Sequence, residues 1–497
     1  MVSESAGSEA LEEIAGVSGP APIFDQPLLD MCRQMARRYI HPLASFLRLL
    51  TPERTPRVGK KVPPHAPHSP QLLSEPSELW RPAPGEDVVG RYLERIRSVP
   101  ESLGSIVVVP EVKEGSRVLE ELGRSLGDRA VAVHSAMDPA VRASGLWAAA
   151  SGEVSVLLGG RAAVWAPAFP LGAIIVHSEH DPALKEQRSP YYDAREVAAA
   201  RAESAGAALL MSSLSPSLTS FNATADRWKL SQPSRDMERT HWPVVEVMEP
   251  QRTGVPRRAV ALVIETSRAG GRTLFLLPRT RPTAAGPGPE QVADYLSRVV
   301  PGARIERADR PGLVGKSLSE VVDADVLVMT EAGLAEIDRP PSTAAVVLGL
   351  DAMLMRPSGL AAEEAFTALW ALGALLAGNK GKGRMLLETE DPSHHVVQAL
   401  SRGSYEFYAR HELTARAETR SPPFTTMIRM RSAGFDTEVV SLIQGLDGVD
   451  LLGPVEGARG AEILLKVSDL PPVLDTLHKM VRQATRAISV EVDSREW

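Results

Sequence analysis

The sequence predicts an α/β protein with two successive doubly wound domains and a small α+β domain at its C-terminal end. Short apolar runs alternate with helical stretches twice along the chain, which is typical of parallel sheets covered by helices. The last part of the chain instead follows a strand–helix–strand–strand–helix–strand order. A single cysteine, Cys32, and a formal net charge of -7 exclude a disulfide framework, a Cys-rich zinc module and a globally basic chain.

The N-terminal region precedes the first α/β domain and is expected to be mostly helical. Residues 1–20 are small and acidic and predict a disordered tail, whereas residues 28–50 carry apolar side chains at helical spacing, interrupted by Pro42. Prolines then recur through residues 51–76, so we expect a proline-rich linker over residues 56–77. No apolar run reaches the roughly 18 residues of a membrane span, and the acidic start does not fit a signal peptide, so the chain is expected to be cytoplasmic.

The two α/β domains are expected over residues 78–240 and 241–402. Strands of the first are predicted at residues 106–109, 130–133, 154–158, 173–176 and 207–211, with helices such as 117–126 and 194–204 between them. Strands of the second are predicted at residues 260–264, 274–277, 326–329, 344–348 and 385–387, with helices at 290–300 and 361–376.

The C-terminal domain is expected over residues 403–497. Strands are predicted at residues 426–431, 450–453, 462–467 and 488–492, and helices at residues 437–446 and 471–485. This βαββαβ order predicts a ferredoxin-like fold.

A polar cluster follows the predicted strand 173–176 and is the first candidate site. It consists of His177, Ser178, Glu179 and His180, at the sheet edge where open α/β domains bind ligands. The surrounding sequence GAIIVHSEHDPALKEQRSPYYDAR resembles the segment around helicase motif II in the PriA (primosomal protein N′) family of replication-restart helicases. In that family the strand ends in Asp-Glu-Glu-His, and the leading Asp positions Mg²⁺. Here the leading Asp is replaced by His177.

Further matches follow in the order that the family has them. Residues 211–220, MSSLSPSLTS, resemble the Gly-Ser-Ala-Thr-Pro-Ser motif III and retain Ser213, Pro216 and Ser217. Residues 107–111, 156–171, 286–292 and 403–424 resemble other family segments. The chain is thereby identified as a member of this family. The resemblance implies two RecA-like helicase lobes and, over residues 21–55, a remnant of an N-terminal domain that binds the 3′ end of DNA.

The ATP-binding residues of the family are systematically replaced. The family's phosphate loop, Gly-x-Thr-Gly-Ser-Gly-Lys-Thr, falls on WRPAPGED at residues 80–87, where Gly85 remains but Glu86 and Asp87 replace the Lys and Thr. At ~4 Å and an effective dielectric near 20, each misplaced charge opposes a phosphate by about 4 kcal/mol. Leu375 and Gly378 stand where motif VI has arginines.

Two other features of the family are missing from the sequence. Residues 330–341 lack the Lys-Gly-His-Asp of motif V, and residues 276–286 replace a Cys-rich insert that binds zinc. We therefore expect neither an ATP/Mg²⁺ site nor a zinc site, and so no cofactor. His177 and His180 could alternatively be metal ligands, although remnants of motif II at a domain edge are the favoured interpretation.

Positive charge is concentrated in the N-terminal helices and the linker. The candidate DNA-binding residues are Arg37, Arg38, Arg48, Arg54, Lys60 and Lys61. Clustered basic side chains can hold the phosphates of single-stranded DNA, but a solvated helix face explains the same pattern equally well.

Three functional hypotheses remain. The first is a replication-restart protein that binds forked or single-stranded DNA, helps reload the replicative helicase and lacks helicase activity. The partners that the resemblance implies are single-stranded-DNA-binding protein and the replicative helicase or its loader. The second hypothesis is an active ATP-dependent 3′–5′ helicase with unorthodox motifs, and the third is a scaffold that binds only proteins.

Overall fold

The computed structural model describes three β-sheets with their covering helices. The described residues are 24–50, 77–110, 117–166, 171–251, 254–279, 287–309, 324–331, 334, 342–377, 383–457 and 460–495. The predicted tail at residues 1–20 and nearly all of the predicted linker lie outside these ranges. Within the part of the chain that the structure describes, no helix combines the length and the apolar character needed to cross a bilayer.

The first sheet is built from seven parallel strands in the order β3-β4-β2-β5-β6-β1-β7. The strands are β1 Glu78–Trp80, β2 Gly104–Val108, β3 Ala130–Val133, β4 Val156–Gly159, β5 Leu171–Val176, β6 Ala208–Ser212 and β7 Lys229–Ser231. Every residue of β2, β4, β5 and β6 is buried, because helices cover both faces. The helices are α3 Val88–Arg97, α4 Arg117–Leu126, α5 Pro139–Ser151, α6 Ala194–Ala205 and α7 Leu218–Ala223.

The second sheet has six parallel strands in the order β10-β11-β9-β12-β13-β8. The strands are β8 Val244–Met248, β9 Thr273–Leu277, β10 Ile305–Ala308, β11 Val326–Thr330, β12 Ala344–Val347 and β13 Arg384–Glu388. Helix α8, Arg235–His241, connects the first sheet to the second. The helices that follow are α9 Arg257–Arg268, α10 Pro289–Val299, α11 Leu350–Leu354, α12 Ala361–Ala377, α13 His395–Arg402 and α14 Tyr405–Glu418.

One predicted strand is wrong. Residues 260–264 lie in the middle of helix α9 rather than in a strand. The buried residues of this helix are Ala259, Leu262, Val263 and Thr266, whose spacing follows the helical period of 3.6. The short apolar run was therefore one stripe of an amphipathic helix, and the first strand of this sheet is β8.

The C-terminal domain is a four-stranded antiparallel sheet in the order β15-β16-β14-β17. Its elements are β14 Thr426–Ser432, α15 Thr437–Gln444, β15 Val449–Gly457, β16 Gly460–Val467, α16 Leu470–Gln483 and β17 Ser489–Val492. The chain order and the antiparallel pairing are those of a ferredoxin-like domain. The predicted fold class, with two parallel α/β sheets and a small α+β domain, is confirmed.

We call the first sheet with its helices the first lobe and the second sheet with its helices the second lobe. The two N-terminal helices pack between the first lobe and the C-terminal domain. They are α1 Gln26–Arg38 and α2 Leu43–Leu50, and their buried side chains belong to one core shared with both neighbours. The buried Lys185 reinforces this junction, because its Nζ donates to the carbonyl oxygen of Val492 and lies 5.3 Å from the ring centre of Tyr39. The N–H of Asp193 donates to the hydroxyl of Tyr39 over 3.0 Å. The N-terminal segment is thus fixed to the body of the protein.

Candidate functional site

The loop after β1, which the sequence resemblance aligns with a phosphate-binding loop, is closed by its own side chains. It runs from Arg81 to Asp87 between a buried strand and helix α3. The Oε2 atom of Glu86 accepts the Ala83 N–H over 2.7 Å, and the Glu86 N–H donates to the Ala83 carbonyl over 3.0 Å. Gly85 provides the left-handed turn with a φ of 82°. The Glu86 carboxylate therefore accepts a backbone N–H that a phosphate-binding loop would offer to the phosphate.

Asp87 supplies a second internal anion at the start of α3. Its Oδ1 atom accepts the Gly90 N–H over 2.9 Å, as an N-cap residue does. A Cβ atom at Gly90 would lie only 2.4 Å from Asp87 Oδ2, so the position of the Asp87 cap leaves room only for a glycine at residue 90. Helix N-termini attract anions, and at the N-terminus of α3 the anion is the carboxylate of Asp87.

The two histidines after β5 are engaged in hydrogen bonds with neighbouring strands and helices. His177 Nδ1 lies 2.9 Å from the hydroxyl of Tyr92, which is also hydrogen-bonded to Ser212. His180 Nδ1 lies 2.6 Å from Ser213 Oγ. Burial lowers the pKa of His180 to about 4, so its imidazole is neutral at physiological pH.

Glu179 is fully buried and holds the turn that follows β6. Its carboxylate accepts hydrogen bonds from the Ser217 N–H at 2.6 Å, the Ser217 hydroxyl at 2.9 Å and the Ser220 hydroxyl at 2.7 Å. Burial raises the pKa of Glu179, and the nearby Arg195 opposes the shift. Arg195 also donates to the Glu179 carbonyl over 2.9 Å. The Glu179 side chain thus positions the motif III segment. Ser178, which lies between the two histidines, has a left-handed φ of 50°.

The cleft beside these residues is small and is bordered on one side by the second lobe. Its volume is about 130 Å³, and Thr367 and Ala371 of helix α12 contribute to its wall. Binding sites for drug-sized ligands usually span about 300–1,000 Å³, so this cleft is smaller than a typical small-molecule site. Leu375, at a motif VI arginine position, packs against the core of the second lobe, and Gly378 lies outside the described residues.

The described residues offer no obvious metal site. Among them, no group of three or more His, Cys, Asp or Glu side chains is placed to hold a metal ion. Cys32 is buried in α1, and burial raises the pKa of its thiol to about 11. Residues 280–286, which belong to the segment that replaces the zinc-binding insert, lie outside the described ranges. Residues 332–333 and 335–341 of the motif V region also lie outside them.

The predicted DNA-binding residues are only partly brought together. Arg37 pairs with Asp475 at 3.2 Å, while both side chains remain exposed. Arg38 pairs with Asp493 at 2.8 Å and with Glu196 at 3.7 Å, and only 28% of its side chain is exposed. Arg38 is therefore a structural residue of the junction rather than an available phosphate contact. Arg48 is exposed in α2, whereas Arg54, Lys60 and Lys61 lie outside the described residues.

The structure adds cations that the sequence alone did not single out. Helices α1 and α16 border an open groove of about 420 Å³. Its polar lining consists of Arg33, Arg37, His41, His478, Lys479, Arg482 and the single acidic residue Asp475. Lys479 and Arg482 lie three residues apart on the exposed face of α16, a spacing that could have identified a basic helix face. We call this set of residues the α1–α16 groove.

Comparisons with known proteins identify relatives along most of the chain. The chain is 25% identical over 405 residues to replication restart protein PriA of Bacillus subtilis, covering 67% of this chain and 50% of that protein. It is 25% identical over 454 residues to replication restart protein PriA of Thermotoga maritima, covering 76% and 61%. The chain thus spans about half to three fifths of these two relatives.

Longer coverage is found in a mycobacterial relative. The probable replication restart protein PriA of Mycobacterium bovis is 25% identical over 558 residues, covering 94% of this chain and 85% of that protein. No family profile matches the chain. Among solved structures, RecG bound to a three-way DNA junction superimposes with a TM-score of 0.42 at 16% identity, covering 70% of this chain and 44% of RecG. The resemblance predicted from the sequence is confirmed, since most of the chain is similar to replication restart protein PriA of several bacteria.

Proposed function

We propose that this chain is a replication-restart protein that binds forked or single-stranded DNA and acts without hydrolysing ATP. The names of its relatives support the restart role. In this proposal the chain recognises DNA at a stalled fork and helps reload the replicative helicase. Single-stranded-DNA-binding protein and the helicase or its loader are the proposed protein partners, and no nucleotide, Mg²⁺ or zinc is required.

The closed loop at residues 81–87 is the main support for the proposal that the chain does not hydrolyse ATP. A triphosphate entering this loop meets the carboxylates of Glu86 and Asp87, both of which already occupy backbone N–H groups. Pro82 and Pro84 contribute no N–H at all. An active helicase with unorthodox motifs is therefore disfavoured, because like-charge repulsion and missing donors act in the same direction.

The α1–α16 groove is the surface that we propose for DNA phosphates. Arg37 contributes from one helix, and Lys479 and Arg482 contribute from the other. Among the described residues, neither Lys479 nor Arg482 makes a side-chain hydrogen bond or an ion pair, so both charges are available. Basic side chains that line a groove can follow a phosphate backbone without reading its sequence.

A scaffold that binds only proteins is the second candidate. It is favoured by the ion pairs of Arg37 and Arg38 with acidic residues of the same chain, which reduce the positive charge of the predicted cluster. This alternative shares the restart role with the first proposal but predicts no affinity for DNA.

A DNA-binding assay combined with a phosphate-release assay tests the proposal. We expect the purified chain to raise the fluorescence anisotropy of labelled forked and single-stranded oligonucleotides, and to release no phosphate from ATP with or without DNA. The absence of DNA binding would favour the scaffold. DNA-stimulated phosphate release above that of a mock preparation would favour the helicase, provided that Glu86→Ala alters it.

A further inference from the structure

The two lobes meet beside the loop that the resemblance aligns with the family's phosphate-binding loop. Arg81, the first residue of the loop after β1, is buried and pairs with the buried Glu238 of α8. Its Cζ lies 4.4 Å from the ring centre of Tyr405 and 5.8 Å from that of Trp370. Both aromatic residues belong to helices that cover the second sheet. We call Arg81, Glu238, Trp370 and Tyr405 the interlobe latch.

Tyr405 also reaches the motif III segment of the first lobe. Its hydroxyl donates to the Pro216 carbonyl over 2.8 Å, and its ring makes an edge contact with Phe221 at 5.3 Å. Leu218 of the same segment is fully buried in the core of the second lobe. A side chain of the first lobe therefore completes the hydrophobic core of the other, which a freely moving pair of lobes would not allow.

A partly buried carboxylate of the second lobe caps the short helix α7 of the first. Glu363 Oε1 accepts the Leu218 N–H over 3.0 Å, and its other oxygen pairs with Arg416 at 2.9 Å. Arg416 in turn pairs with Glu412 at 2.9 Å. The carboxylate is thus held in place from its own lobe while it accepts a hydrogen bond from the other.

The connector between the lobes is fixed as well. Trp242, which follows α8, stacks on Trp370 with ring centres 4.0 Å apart and donates its indole N–H to the Leu400 carbonyl over 2.7 Å. The latch residue Glu238 lies one helical turn before Trp242, and the Trp242 N–H donates to its carbonyl. The connector is therefore packed against the second lobe rather than free to act as a hinge.

From these contacts we infer that the interlobe latch holds the two lobes in one constitutive arrangement that does not respond to nucleotide. Side-chain contacts take the place of a bound ligand as the bridge between the lobes. The loop that would have released and rebound phosphate instead contributes Arg81, a permanent structural contact. This inference goes beyond the proposed function, since it concerns the lobes alone and holds whether or not the chain binds DNA.

Hydrogen–deuterium exchange of the full chain in the absence of DNA tests the inference. We expect peptides covering residues 214–222 to exchange slowly and equally with and without millimolar ATP and Mg²⁺. The Tyr405→Phe variant removes only the hydrogen bond to Pro216, and exchange in these peptides is expected to rise about fivefold. Tyr408→Phe is the matched control, because the Tyr408 hydroxyl lies on the same helix and has no hydrogen-bond partner among the described residues.

The double variant Arg81→Met/Glu238→Gln supplies a second perturbation, which removes both buried charges together. We expect it to raise exchange in residues 214–222 and 232–242, while peptides from β2 and β11 stay as protected as in the parent. Equal exchange in Tyr405→Phe and Tyr408→Phe would overturn the inference. An ATP-induced change at residues 214–222 of the parent would overturn it too. Because no DNA is present, either result leaves the proposed DNA binding to be judged by its own assay.

Discussion

His180 lies between the lobes as a neutral imidazole, and its environment links the stability of the protein to pH. Burial and the positive charges of Arg195 and Arg495 lower its pKa to about 4, and Glu363 partly opposes them. The unfolded chain binds the proton near pH 6.5, whereas the folded chain binds it only near 4. The stabilising contribution is therefore complete above pH 6.5 and is lost as the pH falls from 6.5 towards 4.

We expect His180→Asn to flatten this pH dependence. Asn places a polar atom near the Nδ1 position, so it preserves the contact with Ser213 without a titratable group. The difference in the free energy of unfolding between parent and variant should change by roughly 3 kcal/mol at most over the acidic range. Urea denaturation at several pH values between 7 and 4.5 measures it. Parallel curves for the two proteins would contradict the prediction.

Arg81 and Glu238 form a buried ion pair whose members depend on each other. Burial raises the pKa of Glu238, and Arg81 opposes that shift. Arg81→Met leaves the carboxylate without its cation and is expected to lower the free energy of unfolding by about 3–5 kcal/mol. The double variant with Glu238→Gln is expected to lose less, since no uncompensated charge remains. Urea denaturation of the two single variants and the double variant measures the coupling, and additive losses would show that the pair is energetically independent.

At the scale of elements, Asp87 determines where α3 begins. Its side chain is the N-cap acceptor, so Asp87→Ala should lower the free energy of unfolding by about 1 kcal/mol, whereas Asp87→Ser should be nearly neutral. Thermal or urea unfolding distinguishes the two variants. Equal destabilisation by Ala and Ser would mean that the carboxylate acts through its charge rather than as a cap. Neither change is expected to create ATP binding, because Glu86, Pro82 and Pro84 remain.

The elements that sequence patterns predicted well are those whose burial is uniform. Strands β2, β5 and β11 are fully buried and mostly apolar, and α12 is long and strongly apolar. The three-residue strand β1 gave no periodic signal, because its first residue is the buried Glu78, which is held by Arg91 and Arg95 at 3.3 Å and 3.0 Å. Local pattern therefore fails where burial depends on a partner elsewhere in the chain.

The candidate site follows the same rule. The sequence placed the residues after β5 at a sheet edge, because ligands bind where the strands of open α/β sheets end, whereas Glu86 and Asp87 were assigned only through the resemblance to the family's phosphate loop. It could not place Arg38, whose partner Asp493 lies 455 positions away. Likewise, the α1–α16 groove forms only because the two ends of the chain pack together, and no spacing rule connects them.

At the scale of the whole molecule, apolar contacts between the domains hold the architecture together. The N-terminal helices join the first lobe to the C-terminal domain through a shared core. The motif III segment contributes Leu218 to the core of the second lobe. Each domain thus buries apolar surface of its neighbour, and burial of this kind needs no nucleotide.

DNA held by the whole molecule would lie along the α1–α16 groove. If the α1–α16 groove contacts phosphates, the logarithm of the affinity for a single strand should fall linearly with the logarithm of the salt concentration. The slope should be about −0.7 per phosphate contact. The triple variant Arg37→Ala/Lys479→Ala/Arg482→Ala should weaken binding to all sequences alike and reduce the slope by about 2. Its stability should be nearly unchanged, because exposed charges contribute little.

The matched control is Arg97→Ala/Arg124→Ala/Arg268→Ala, which removes three exposed arginines from helices of the two lobes. Both triple variants alter the net charge equally, so a nonspecific effect of charge would lower affinity to the same extent in both. Anisotropy titrations at several salt concentrations separate the cases. If only the groove variant loses slope, its cations contact phosphates directly. If both lose it equally, long-range attraction is responsible and the groove is a solvated surface. If neither variant differs from the parent, DNA is held elsewhere, and Arg48 of α2 is the next exposed N-terminal cation to replace.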